Sequence, residues 1–204
     1  MPEQGFRAVL LFGVPGSGKG TQGKILSQIP GFFHLSSGDI FRSLDTKSPE
    51  GEEIARYTSR GELVPDELTI RIWKKALDAF IAVSAYKPQE DLLLLDGIPR
   101  NLNQAKLVGD YVDVLRVMYL VCSDNAAIID RMKRRALLEN RADDADEDVI
   151  RRRFEVYRNE SEPILDFYSE GLISRVEALG TPAEVLRSTL DCLIPLQNDY
   201  VATN

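Results

Sequence analysis

The feature that most constrains the fold is a glycine-rich loop that directly follows a short apolar run. Residues 7–12 read Arg-Ala-Val-Leu-Leu-Phe, and residues 13–21 continue as Gly-Val-Pro-Gly-Ser-Gly-Lys-Gly-Thr. An apolar run that ends in glycines is typical of a buried parallel strand entering a loop. Glycines let successive backbone N–H groups turn toward an anion, and the start of a following helix adds positive charge. The spacing GxxxxGK between a strand and a helix therefore predicts a nucleotide-binding phosphate loop over residues 13–21.

One position of this phosphate loop departs from the general pattern. The residue after Lys19 is Gly20, so the hydroxyl that often ligates Mg²⁺ is displaced to Thr21, which argues against direct ligation by that hydroxyl. Lys19 supplies a mobile positive charge for the phosphates. The residues expected to bind the nucleotide phosphates are Gly16, Ser17, Gly18, Lys19, Gly20 and Thr21.

Strand and helix patterns alternate along the chain. Short apolar runs predict strands at residues 7–12, 32–35, 92–95, 115–121 and 172–176. Helical patterns occupy residues 19–29, 66–81 and 146–170, the last interrupted by Pro163, and a final helix begins after the N-cap candidate Thr181. This alternation predicts an α/β fold with three layers, a doubly wound parallel sheet of five strands. Ligands are then expected at the carboxyl ends of the strands.

Composition narrows the classes of function. A length of 204 residues fits one domain, and the net charge of −7 argues against a general nucleic-acid binder. No apolar run approaches the roughly 18 residues that span a bilayer, and no signal-peptide cleavage site is evident, so a cytoplasmic protein without a membrane is expected. Cys122 and Cys192 fit two separate thiols rather than a disulfide framework or a zinc site.

Positive charge is concentrated in one segment of this acidic chain. Eight of the 25 Lys and Arg residues lie between Arg131 and Arg153. Such a segment is consistent with local recognition of a small anion, and a solvated helix face is the alternative.

Several sequence blocks resemble the adenylate kinase family of nucleoside monophosphate kinases. The phosphate loop with Gln22 has that family's form GxPGSGKGTQ. Further blocks follow in order at residues 35–42 (LSSGDIFR), 61–66 (GELVPD), 96–100 (DGIPR), 130–144 and 151–157 (RRRFEVY), and together they cover almost the whole chain. Ile98 stands where the family usually has phenylalanine, an apolar exchange that should alter packing more than chemistry. The resemblance implies a phosphotransferase that moves the γ-phosphoryl group of ATP reversibly to AMP, with Mg²⁺, giving two ADP.

The resemblance also implies a division of the single kinase domain. The core comprises residues 1–35, 65–130 and 142–204, and residues 36–64 form a small insert that binds the monophosphate. Residues 131–141 form the lid. Only five residues separate Arg135 from Arg141, so the chain resembles the short-lid form, which lacks a cysteine-rich zinc insert and is commonly a monomer.

Residue roles are carried over position by position. Arg42 and Arg100 would hold the acceptor phosphate, Gln104 would read the base, and Asp96 would orient Mg²⁺ through water. The residues implied for AMP are Ser37, Arg42, Glu62, Leu63, Val64, Gly97, Ile98, Pro99, Arg100, Gln104, Arg141 and Arg153. The residues implied for ATP, besides the phosphate loop, are Arg131, Arg135 and Gly180. Each of these roles has an alternative. A single arginine could form a surface ion pair, and Asp96 could cap a turn. Gln104 could be a solvated helix residue, and Gly180 could be a plain turn glycine.

The chemistry of phosphoryl transfer agrees with this set of cations. Negative charge spreads over the phosphoryl oxygens, so positioning and cationic stabilisation suffice, and the only histidine, His34, is interpreted as structural. Among Arg151, Arg152 and Arg153, the family register favours Arg153. The expected catalytic residues are Lys19, Arg100, Arg135, Arg141 and Arg153.

Two other functions fit much of the same sequence. Pyrimidine monophosphate kinases for UMP and CMP share most blocks, and Gln104 is the residue that favours adenine. A nucleotide sensor on the same fold needs the phosphate loop but not a second phosphate clamp.

Overall fold

Five parallel strands form the centre of the molecule in a computed structural model that describes residues 5–139 and 146–203. The strand order is β2-β3-β1-β4-β5, with the strand before the phosphate loop in the middle. This arrangement confirms the predicted α/β fold with a five-stranded parallel sheet. The strands are β1 (Phe6–Phe12), β2 (Phe32–Ser36), β3 (Leu92–Asp96), β4 (Val112–Val121) and β5 (Ile173–Glu177).

All five predicted strands are present, and four of them are longer in the structure than the spans predicted from the sequence. β4 begins at Val112 rather than at residue 115, because Val112 pairs with Phe6 and extends the ladder to the start of β1. The polar side chain of Asp113 interrupts the apolar run there, which hid these residues from the sequence pattern. β5 is displaced by one residue and runs from Ile173 to Glu177.

Eight α-helices connect and cover the strands in the described residues. Four of them, α2, α3, α5 and α6, lie outside the helical spans that were predicted. The helices are α1 (Lys19–Leu26), α2 (Ser37–Ser43), α3 (Pro49–Thr58), α4 (Asp66–Ala82), α5 (Leu102–Gly109), α6 (Asn125–Glu139), α7 (Glu147–Val156) and α8 (Pro182–Thr203).

Helix α1 is shorter than the 19–29 span that was predicted. It ends at Leu26, and the chain then tightens into turns in which the N–H of Gln28 donates to Ile25 and that of Ile29 donates to Leu26. Pro30 follows and cannot continue a helix because it lacks an N–H group.

The segment around Pro163 breaks up as predicted. Helix α7 gives way to a π-helical turn (Tyr157–Ser161) and then to a 3₁₀ segment (Glu162–Phe167) that contains the proline. The predicted start of α8 is also confirmed. The N–H of Thr181 donates to Glu184 Oε2 at 2.8 Å, and the N–H of Glu184 donates back to Thr181 Oγ1 at 3.3 Å, which is a capping box.

Apolar side chains cover both faces of the sheet, as a parallel sheet requires. Along β1, Ala8, Leu10 and Phe12 point to one face, where α4, α5 and the 3₁₀ segment pack. Val9 and Leu11 alternate with them and meet α1 and α8 on the other face. The sheet is thus the middle of three layers, and the loops at the carboxyl ends of its strands stay uncovered by either helical layer.

Two smaller apolar clusters lie outside this main core. One joins α3 to the start of α4 through Ile54, Val64, Leu68 and Ile72. The other joins α6 to α7 through Ile128, Met132 and Ile150. Each cluster gives its segment a small core of its own beside the carboxyl ends of the strands.

Two further features concern the chain as a whole. Cys122 and Cys192 are separate half-buried thiols. Among the residues that the structure describes, no helix has the length and apolar character needed to traverse a bilayer.

Candidate active site

The phosphate loop wraps around the N-terminus of α1. Gly13, Gly16 and Gly18 have φ values of 139°, 84° and 100°, which residues with a side chain rarely adopt, so the loop requires glycine at these positions. Lys19 begins the helix, and its Nζ donates to the carbonyl oxygens of Gly13 at 2.6 Å and Val14 at 3.0 Å. The ammonium group therefore lies over the loop, beside the helix end where an anion is favoured.

Asp96 ends β3, the strand next to β1, and its carboxylate reaches the phosphate loop. The residue is buried, with 8% of its surface exposed. A Cβ atom built on Gly20 would lie 3.4 Å from Asp96 Oδ2, which is an ordinary van der Waals distance, so the carboxylate lies against the first turn of α1.

Opposing effects act on the Asp96 carboxyl. Burial raises its pKa, but the nearby imidazole of His34 and the positive charges of Lys19 and Arg100 outweigh burial, so the pKa lies below its ordinary value. The His34 ring fits against Gly23, where a Cβ would lie 2.3 Å from the ring, and its Nε2 is 3.6 Å from Asp96 Oδ2. His34 thus packs behind an acid that stays ionised near neutral pH.

Lys19 is strongly perturbed in the same place. Burial lowers the pKa of its ammonium group to about 8; Asp96 works against this shift, and the charges of Arg100, Arg135 and Arg153 add to it. Four cations that repel one another around one acid form a site prepared for further negative charge.

A cavity of about 530 Å³ opens above the carboxyl ends of β1 and β3. The phosphate loop forms one wall, α2, α3 and the segment 61–63 form another, and α6 and α7 close the third side. The predicted residues that line it are Gly16, Gly18, Lys19, Gly20, Thr21, Arg42, Glu62, Leu63, Asp96, Gly97, Pro99, Arg100, Arg135 and Arg153.

Arg100 is held by its own loop. Its Nε donates to the carbonyl oxygen of Gly97 at 2.7 Å, and Ser37 Oγ donates to that same oxygen at 2.7 Å. Gly97 has φ 76°, and a Cβ there would lie 2.6 Å from Ser37 Oγ and 2.9 Å from an Arg100 nitrogen. Glycine is therefore needed at position 97 for Ser37 and Arg100 to converge.

Arg42 lies across the cavity on α2, where its guanidinium donates to Asp39 Oδ1 at 2.6 Å. Glu62 pairs with Arg60 at 3.1 Å, and Leu63 follows it at the cavity wall. Four predicted residues, Ser17, Ser37, Val64 and Ile98, are buried beside the cavity without lining it.

Gln104 is buried and does not line the cavity. It is only 1% exposed, and its amide is engaged on both sides, since Oε1 accepts from the N–H of Arg100 at 2.9 Å and Nε2 donates to Asp66 Oδ1 at 2.8 Å. Asn101 and Asn103 also donate to the Asp66 carboxylate, at 2.9 and 2.7 Å. The solvated-helix alternative for Gln104 is thereby wrong, and the structure ties this side chain to Arg100.

Arg131 and Gly180 come together away from the main cavity. The Arg131 guanidinium on α6 donates to the carbonyl oxygen of Ala178 at 2.7 Å and to those of Leu179 and Gly180 at 3.3 and 3.5 Å. Gln22 on α1 fixes the next residues of this loop by donating to Pro182 at 3.1 Å. The loop after β5 is thus held to both α6 and α1.

The three consecutive arginines on α7 point in different directions. Arg151 pairs with Glu147 at 2.6 Å and Arg152 with Glu155 at 3.1 Å, both on the surface, whereas Arg153 lines the cavity. Arg135 lines the cavity from α6. Arg141 lies outside the described residues.

Tyr157 and Ser161 are among the lining residues that were not predicted for the site. Tyr157 belongs to the RRRFEVY block, which offered a signal for its location. Ser161 lies two residues before Pro163, and its sequence context gives no comparable signal. Within the described ranges, no three His, Cys, Asp or Glu side chains come together to form a metal cage.

Comparisons with known proteins agree with this geometry. Residues 11–172 match the family model described as adenylate kinase. The chain is 38% identical over 185 residues to an adenylate kinase of Thermus thermophilus, covering 88% of this chain and 92% of the relative. It is 39% identical over 191 residues to an adenylate kinase of Prochlorococcus marinus (89% and 96%) and 37% identical over 190 residues to one of Nocardia farcinica (91% and 98%). The chain belongs to the adenylate kinase family.

Proposed function

We propose that this chain is an adenylate kinase, which transfers the γ-phosphoryl group of ATP to AMP and runs reversibly to give two ADP. The observation that carries the proposal is a cavity in which a phosphate loop faces Arg100, Arg135 and Arg153. A protein that only binds a nucleotide needs the loop but not this second group of cations. The family membership and the relatives named adenylate kinase support the same function.

The donor nucleotide is proposed to bind along the phosphate loop. Backbone N–H groups at Gly16, Gly18 and Gly20 and the positive end of α1 would hold its phosphates. Lys19 Nζ would exchange its hydrogen bonds to Gly13 and Val14 for phosphate oxygens. The adenine would lie between Arg131 and the loop that contains Gly180, since Arg131 fixes the carbonyl groups of that loop.

The acceptor is proposed to bind on the opposite side, with its phosphate between Arg42 and Arg100. Guanidinium groups present two parallel donors to phosphate oxygens, which fixes orientation as well as charge. Ser37, Gly97 and residues 62–64 would line the nucleoside pocket. Gln104 is proposed to recognise adenine. One Nε2 hydrogen bonds to Asp66 and one Oε1 lone pair accepts from Arg100, so the second hydrogen and the second lone pair remain for the base.

Asp96 is the residue that fits Mg²⁺. Its carboxylate is ionised, buried and within reach of the phosphate loop, and carboxylate oxygen is a ligand that this ion prefers. We propose that Asp96 holds the ion through water. Bound with ATP, the ion held by Asp96 would supply positive charge that neutralises the phosphates.

The transfer itself needs no side-chain base. An oxygen of the AMP phosphate attacks the γ-phosphorus, the bond from that phosphorus to the β-phosphate oxygen breaks, and the electron pair leaves with ADP. The acceptor is already largely ionised because the second pKa of a phosphate monoester is about 6. Lys19, Arg100, Arg135, Arg141 and Arg153 would stabilise the charge that spreads over the transferring oxygens.

Two segments are proposed to close around the nucleotides. The first is the monophosphate insert of residues 36–64, whose small core around Ile54 is distinct from that of the sheet. The second is the short lid of residues 131–141. Closure would exclude water and protect ATP from hydrolysis. We further propose that the protein is cytoplasmic and monomeric. Size-exclusion chromatography with light scattering would test whether it is a monomer.

A panel of acceptors tests the substrate. Purified protein is supplied with ATP, Mg²⁺ and AMP, UMP, CMP or GMP, and formation of ADP is measured. We expect the highest kcat/KM with AMP and little ATP hydrolysis without an acceptor. Preference for UMP or CMP would make the chain a pyrimidine monophosphate kinase, and ATP binding without transfer to any acceptor would make it a sensor.

A further inference from the structure

We propose that Ser161 is a positioning residue of this enzyme, which holds the main chain of Arg100 in register with Arg153 for phosphoryl transfer. The inference rests on the proposed function and extends it to a residue with no assigned role. Ser161 would act through Arg100 and not by contact with the transferred group.

The first observation is a direct hydrogen bond. Ser161 Oγ donates to the carbonyl oxygen of Arg100 at 2.6 Å, across 61 residues of sequence. Ser161 is only 6% exposed, although it borders the cavity. Removal of this buried hydroxyl would take this hydrogen bond away from the carbonyl oxygen of Arg100.

The second observation is that both backbone polar groups and the side chain of Arg100 form hydrogen bonds. Its N–H donates to Gln104 Oε1 at 2.9 Å, its carbonyl accepts from Ser161, and its Nε donates to Gly97 at 2.7 Å. Gln104 and Ser161 thus fix the peptide groups before and after the Cα atom of Arg100. Small displacements of a positioned group cost a large part of a reaction rate, so the rigidity of this backbone matters for transfer.

The third observation is the location of Ser161 in the chain. It is the last residue of the π-helical turn that follows α7, and α7 carries Arg153. Single π-helical turns within helices are frequent at functional sites. Here the turn brings one hydroxyl onto the loop of Arg100, so the segment carrying one cavity arginine is tied to the segment carrying another.

Substitutions at position 161 test the role. We expect Ser161→Ala to lower kcat with AMP about tenfold while KM for ATP changes less than about twofold, because the donor site does not contain Arg100. Ser161→Thr keeps the hydroxyl and should retain most of the activity. Should Ser161→Ala not fold, Ser161→Cys keeps a weak donor in a slightly larger side chain and should show a smaller loss of kcat.

A double-mutant cycle separates positioning from general stabilisation. If Ser161 acts through Arg100, then Ser161→Ala should lower kcat/KM less than about twofold in an Arg100→Ala background. A merely structural role would lower activity by the same factor in both backgrounds, and that result would overturn the inference.

Thr189 provides a matched control. It is fully buried in α8, its Oγ1 donates to the carbonyl of Val185 at 2.8 Å, and neither residue lines the cavity. Thr189→Val should lower Tm as Ser161→Ala does and leave kcat unchanged. If the wild-type chain fails to phosphorylate AMP, the proposed function fails and the inference falls with it. If the wild type is active and Ser161→Ala matches it, the inference alone is wrong.

Discussion

The carbonyl oxygen of Gly97 accepts a 2.7 Å hydrogen bond from Nε of Arg100, three residues later in the chain. The bond folds the arginine back over its own loop and fixes the plane of its guanidinium group. Because Ser37 donates to the same oxygen, the acceptor side of the cavity is organised around one backbone carbonyl.

This geometry predicts that lysine cannot replace Arg100. Arg100→Lys loses the Nε donor to Gly97 as well as the planar pair of donors for phosphate. Both Arg100→Lys and Arg100→Ala should therefore lower kcat/KM for AMP by about a hundredfold or more. Arg175→Ala is the control, since Arg175 pairs with Glu170 on the surface. Steady-state kinetics check the prediction, and a loss within about twofold for Arg100→Ala would remove Arg100 from the site.

The arginines of α7 predict an uneven response to substitution. Arg153→Ala should lower kcat about a hundredfold, because this side chain lies at the cavity. Arg151→Ala and Arg152→Ala should change kcat by no more than about twofold, because each removes a solvent-exposed ion pair. The three variants share one helix, so circular dichroism can verify equal folding before rates are compared. A larger loss at Arg151 or Arg152 than at Arg153 would reverse the assignment.

The lowered pKa of Lys19 predicts a pH dependence of ATP use. Burial lowers the pKa to about 8 in the free protein, so the cation is lost as the pH rises through that value. Since kcat/KM reports the free enzyme, kcat/KM for ATP should fall above a pH of about 8, while kcat should hold to higher pH because bound phosphates raise the pKa. Lys19→Arg retains its charge at these pH values and should lose the alkaline fall. A wild-type profile that stays flat well above the pKa of Lys19 would contradict the interpretation.

Asp66 predicts an acid-sensitive contribution to stability. Burial raises the pKa of its carboxyl, but the amides of Asn103, Gln104 and Asn101 outweigh burial, and the folded-state pKa lies below the ordinary 3.8. Its stabilisation is therefore complete above that ordinary value and disappears as the pH falls through the lower folded-state pKa. At neutral pH, Asp66→Asn should lower the free energy of unfolding by about 2 kcal/mol, because an amide cannot accept from three amide donors.

Urea unfolding at a series of pH values checks this contribution. The difference between wild type and Asp66→Asn should stay constant near neutrality and shrink under acid conditions. Asp78→Asn, which breaks an exposed pair with Lys74, should cost about 0.5 kcal/mol or less. Equal differences at neutral and acid pH would show that the carboxylate charge is not the cause.

The centre of the sheet was predicted well because β3 and most of β1 are apolar runs buried on both faces. The phosphate loop was equally evident, since positive φ values demand glycine at fixed spacing. Helices α2 and α3 were missed, because they pack on a small local core around Ile54 and carry short, mostly polar sequences.

Contacts between distant residues account for what could not be predicted. The amide of Gln104 is oriented by Asp66, 38 residues away, and the guanidinium of Arg131 by carbonyl groups 47 to 49 residues away. The directions of Arg151 and Arg152, by contrast, follow from Glu147 and Glu155 at the regular helical spacings i,i+4 and i,i+3. The contacts of Gln104 and Arg131 have no fixed spacing that a sequence pattern could express.

The attachment of α8 has a consequence for synthesis of the protein. Leu26 of α1 packs with Val185 and Leu193 of α8, and Gln197 donates to the carbonyl of Pro30 at 2.7 Å. The first helix of the chain is therefore covered by the last helix that the structure describes. On the ribosome, the side of α1 that faces α8 stays exposed until residues near 197 emerge, so the segment that carries the phosphate loop gains this contact only after most of the described chain has been synthesised.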